Sequence, residues 1–83
     1  MSLSVSPEGN LAAGGTATVT ITGGPAFSGV TVEIDNGVDQ HDTLNVTLDE
    51  NGNGSAEWNV PASGWNLARF NYGDASTVTR PIV

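Results

Sequence analysis

Nine acidic side chains, one histidine, seven serines and two arginines are the chain's main resources for acid–base, nucleophilic or ion-binding chemistry, and they give it a formal charge of −7. Two short stretches place oxygen ligands close together. Asp49, Glu50, Asn51, Gly52, Asn53 and Gly54 match the first half of a calcium loop, with Asp49, Asn51 and Asn53 at the first, third and fifth positions and glycine at the sixth. The twelfth position, where a bidentate glutamate completes such a loop, is Val60. A hairpin turn accounts for the same residues, because Asn and Gly accept positive φ at little cost. Asp49, Asn51 and Asn53 are therefore weak calcium candidates, and the expectation is a chain without metal or cofactor. Asp35, Asn36, Asp39, His41 and Asp42 form a second cluster, read as a solvated acidic loop between the third and fourth strands.

Catalysis finds little support. His41 invites a serine–histidine–aspartate reading, but no G-x-S-x-G elbow accompanies it. Acid pairs such as Glu33 with Asp35, or Glu57 with Asp49, would serve a glycosidase only across a cleft, for which a sandwich this small has little room. The chain holds no cysteine and no lysine, so thiolate zinc sites, disulfides, thiol nucleophiles and Schiff-base lysines are excluded. Nucleic acid is not an expected partner, because neutralising phosphates takes clustered Lys and Arg and only Arg69 and Arg80 are present. No membrane partner is expected either: no apolar run approaches the length of a spanning helix, and Met1 is not followed by a basic segment and an apolar signal core.

The elements that must position these residues are strands. From Thr16 to Thr22, Ala17, Val19 and Ile21 alternate with four threonines, the period of a half-buried strand. Val30, Val32 and Ile34 repeat the pattern. So do Leu44, Val46 and Leu48; Ala56, Trp58 and Val60; Leu3 and Val5; and Ala68, Phe70 and Tyr72. A last strand covers 77–83, where Arg80 shares the inward face of Val78 and Ile82 and is expected at the rim, paired with an acid. Gly, Pro and Asn clusters fall between the strands, as turns require.

Residues 1–83 thus read as a single all-β domain, a seven-stranded antiparallel immunoglobulin-like Greek-key β-sandwich with no disulfide. The expected layout puts the first, second, fourth and fifth strands in one sheet and the third, sixth and seventh in the other, with the chain entering and leaving at opposite poles. Phe27 and Trp65 lie in loops at those opposite poles, where turn chemistry requires no large ring. Trp65 is expected to cap the core and Phe27 to plug the other end, or else each anchors a ligand or partner. The candidate binding residues are Phe27, Asn51, Asn53 and Asp74 at one pole and Trp65 at the other.

The segment from Pro7 through Gly14, Gly15 and Thr16 into Thr18, Val19 and Thr20 resembles the opening of bacterial and phage immunoglobulin-like domains. The Asp49, Asn51, Gly52, Gly54 turn followed by Trp58 and Pro61 resembles them too. That resemblance implies spacers, adhesive modules and decorations on bacterial surfaces or on phage capsids and tails, and it carries no binding residues over. The expectation is a non-enzymatic structural module at a virion surface. It would dock on a capsid or tail protein or on copies of itself, its charge keeping particles apart. The alternative is a carbohydrate-binding or adhesive domain excised from a larger secreted or cell-surface protein, stacking Trp65 or Phe27 on a surface glycan.

Overall fold

A computed structural model describes residues 2–73 and 77–83. It contains seven strands: β1 (Ser2–Ser6), β2 (Thr16–Thr22), β3 (Gly29–Asp35), β4 (His41–Thr47), β5 (Gly54–Asn59), β6 (Leu67–Asn71) and β7 (Val78–Pro81). They form two sheets, ordered β1-β2-β5 and β4-β3-β6-β7, and every ladder is antiparallel. Alternation decides which side chains meet between the sheets. Leu3, Val5, Val19, Ile21, Val32, Ile34, Val46, Trp58 and Phe70 are all buried in one core, while the threonines and serines between them face outward.

The position of β4 corrects the expected layout. It pairs along its whole length with β3, from Gly29↔Thr47 to Asp35↔His41, and not with the sheet of β1, β2 and β5. The reason lies in the short 36–40 connection. Asn36 is buried, and its side-chain oxygen accepts hydrogen bonds from the N–H groups of Val38, Asp39 and Gln40 at 2.9, 3.0 and 3.1 Å. Such an Asx-centred turn brings the chain straight back, and strands joined by a short connection pair as neighbours. A second correction follows. Residues 48–53 do not close a hairpin; they carry the chain from β4 in one sheet to β5 in the other.

Each open side of the sandwich carries a polar contact between the two sheets. On the β4–β5 side, the indole Nε1 of core residue Trp58 donates to Asp42 Oδ2 at 2.7 Å. Asp42 was expected in an acidic loop; it stands in β4 and caps the core. Asp42→Ala leaves the indole N–H without its acceptor and should cost about 1–2 kcal/mol, with Asp42→Asn closer to the parent, as measured by urea denaturation. On the β1–β7 side, Arg80 pairs with no acid among the described residues. Its Nη2 donates to the Val5 carbonyl and its Nη1 to the Thr79 carbonyl, both at 3.2 Å. The last strand is shorter than expected, and beyond it Ile82 forms a parallel bridge with Leu11.

The poles are set by loop-to-loop hydrogen bonds. Ser2 pairs with Thr22, so the chain starts beside the β2–β3 loop, and that loop is bonded to the β4–β5 crossover. At the far pole, Gly14 N donates to Val60 O at 3.1 Å and Ala13 N to Val83 O at 3.0 Å. This joins residues 7–15, the β5–β6 loop and the last residue.

Candidate functional site

The far pole spends its polar groups on itself. Asn36 Nδ2 donates to Asp39 Oδ1 and to the Gly64 carbonyl, both at 3.3 Å, tying the β3–β4 turn to the β5–β6 loop. In that loop Trp65 is half-buried, its ring 5.4 Å from that of Trp58 and tilted by 59°; it packs against the core. Asp35 Oδ1 accepts from Arg69 Nε and from Gly37 N, both at 2.8 Å. The Arg69 guanidinium, more than the Gly37 N–H, holds the Asp35 carboxyl below the range of a free aspartate against the opposing effect of burial. Because the folded value is depressed, this pair stabilises the fold above the free-aspartate value of about 3.9, and that contribution is lost as pH falls through the folded value. Arg69→Gln should remove part of the stability difference between pH 7 and pH 3, read from denaturation midpoints at the two pH values.

Asp35 also flanks an open depression of about 370 Å³ lined by Glu33, Ile34, Asp35, His41, Asp42 and Thr43. Asp35 and Asp42 already hold Arg69 and Trp58 there, and among the described residues no serine lines the depression. Among the described residues, no group of three or more His, Cys, Asp or Glu side chains is arranged to hold a metal ion.

The near pole is built differently. Leu48 N donates to Ser28 O at 2.8 Å, Phe27 N to Asp49 O at 3.0 Å, and Gly24 N to Gly52 O at 2.9 Å, so the β2–β3 loop and the β4–β5 crossover are laced together through their backbones. Asn53 Oδ1 adds a contact by accepting from Gly23 N at 3.2 Å. Within the crossover, Asp49 Oδ1 accepts from Asn51 N at 2.8 Å and Asn53 N at 3.0 Å. One oxygen of the Asp49 carboxylate thus braces its own turn.

On this braced platform stands Phe27. Its φ is +57°, the one non-glycine positive φ among the described residues, and the residue is 79% exposed. The expected core plug is therefore corrected: the ring points to solvent, because the core below is already closed by Leu48 and Ile21, both buried, and by the close approach of Gly24 to Leu48. A large apolar side chain in the left-handed region costs about 1–2 kcal/mol of backbone energy and regains nothing by burial. Asn51 and Asn53, exposed, lie in the adjoining crossover. Of the candidate binding residues, the fold thus brings Phe27, Asn51 and Asn53 together and puts Trp65 at the other end. Asp74 lies outside the described residues. The left-handed backbone at Phe27 has no signal in the sequence, since Phe is not a residue that favours it. No family model, curated protein or solved structure matches the chain, so its reading rests on the geometry of this pole.

Proposed function

We propose that the chain is a non-enzymatic immunoglobulin-like Greek-key module that docks on a protein surface through the pole carrying Phe27, with Asn51 and Asn53 as polar rim contacts. The observation that carries this reading is the exposed Phe27 ring, held in a strained backbone conformation by two cross-bonded loops. Strain and exposure together are retained where a surface has to present a rigid anchor. Aromatic anchors seated in a partner's pocket supply most of the affinity in such contacts, while the surrounding polar groups exclude water. The division into sheets of three and four strands supports the immunoglobulin-like assignment. The resemblance of the Pro7–Thr20 and Asp49–Pro61 segments supports a phage capsid or tail surface as the setting.

Phe27→Gly tests the role. Glycine adopts this φ freely, so the stability of the purified chain should stay within about 1 kcal/mol of the parent, where a core aromatic would lose about 3–5. Incorporation of the chain into the native particle or complex should be lost. Unchanged incorporation would overturn the proposal.

A further inference from the structure

We infer that β1 is a self-association edge: it pairs antiparallel with β1 of a second copy across a two-fold axis through Ser4, joining two three-stranded sheets into one of six strands. The two sheets end in four margins, β1 and β5 in one and β4 and β7 in the other. Unprotected margins invite strand pairing, and charge or proline on the edge strand suppresses it. β5 carries Glu57, β4 carries Asp42, and β7 carries Arg80 and Pro81 with Leu11 bridged beside its end. β1, with the sequence SLSVS, carries neither charge nor proline, and neither does its neighbour β2, TATVTIT.

Charge selects the margin and pattern selects the occupant. On a chain of formal charge −7, two copies meeting at β4 or β5 bring carboxylates together, whereas two copies meeting at β1 do not. The strand is also symmetric about its centre, with burial alternating identically in both directions. Antiparallel self-pairing sets Ser2 against Ser6, Leu3 against Val5 and Ser4 against Ser4. Apolar residues then continue the core face and serines the outer face, as a two-fold interface demands. Arg80 Nη2 occupies one acceptor site of the Val5 carbonyl, and a carbonyl has two. Since β1 runs away from the Phe27 pole, the paired copies hold their Phe27 tips at opposite ends.

The test needs only the purified chain, whose lack of cysteine makes introduced thiols unambiguous. Sedimentation should show a monomer–dimer equilibrium that tightens as salt screens the repulsion between copies. Ser4→Lys places two ammonium groups side by side at the axis and should weaken the dimer at least about fivefold, while the monomer's melting temperature holds. Ser4→Cys should be trapped as a disulfide dimer, because a directly opposed non-hydrogen-bonded pair has Cα atoms roughly 4.5 Å apart, within disulfide range. A chain that stays monomeric at millimolar concentration in high salt overturns the inference, as does a dimer indifferent to Ser4→Lys. So does cross-linking of Ser4→Cys copies to Thr20→Cys copies in place of one another, which marks exchange of β1, since Ser4 pairs with Thr20 within the chain.

Discussion

Gly52→Ala should lower the melting temperature of the chain sharply. Gly52 is buried with φ +77°, and a Cβ built there falls on the backbone of Gly24, its three nearest atoms being that residue's carbonyl oxygen, carbon and nitrogen. The left-handed conformation alone costs an alanine about 1–2 kcal/mol. Relief of the overlap requires the two loops to part, which sacrifices the Gly24 N to Gly52 O bond. We expect a total loss of at least about 3 kcal/mol, against roughly 4–12 available to a chain of this length. A thermal melt followed by circular dichroism should fall by about 15 °C or more. An alanine variant melting with the parent would mean that the loops do not cross where described.

Phe70→Ala is expected to be comparably damaging for a different reason. The ring is fully buried and meets Trp58 edge-on at 5.5 Å and 90°, and Trp58 in turn supports Trp65 and bonds Asp42. Truncation removes the transfer energy of the ring and leaves a cavity that the two sheets cannot collapse to fill, a loss of about 3–5 kcal/mol. Phe70→Leu should retain most of that, at a cost of about 1–1.5 kcal/mol. Equilibrium urea unfolding followed by tryptophan emission measures both. Equal effects of the two substitutions would argue that Phe70 does not anchor the interior.

The strands could be read from the sequence because alternation is imposed by burial on one face, and Thr16 to Thr22 shows it without interruption. Alternation identifies faces, though, and not neighbours. Nothing in Leu44, Val46 and Leu48 says whether that strand pairs with β3 or with β5; the decision sits in Asn36, whose side chain organises the turn. Asp35, His41 and Asp42 looked like loop residues because polar groups at strand ends have the same composition as a loop. Asp42 shares the face of Leu44, two residues on, but is exposed at the rim, where it accepts from the Trp58 indole. Leu11 was missed for lack of any pattern around it: a lone apolar residue between Asn10 and two alanines, yet buried through its bridge to Ile82. At the candidate site, loop position alone marked Phe27 as interesting, but its exposure and its brace come from contacts 22 to 28 residues away in the chain, between Phe27 and Asp49 and between Gly24 and Gly52.

The most direct test of docking through the Phe27 pole is photocrosslinking in the native assembly. A photoreactive phenylalanine analogue is placed at Phe27 or, for comparison, at Asn45 on the outer face of β4. The account predicts that position 27 captures one defined protein and position 45 captures none. Capture from position 45 with none from position 27 would contradict it and assign the contact to the sheet face.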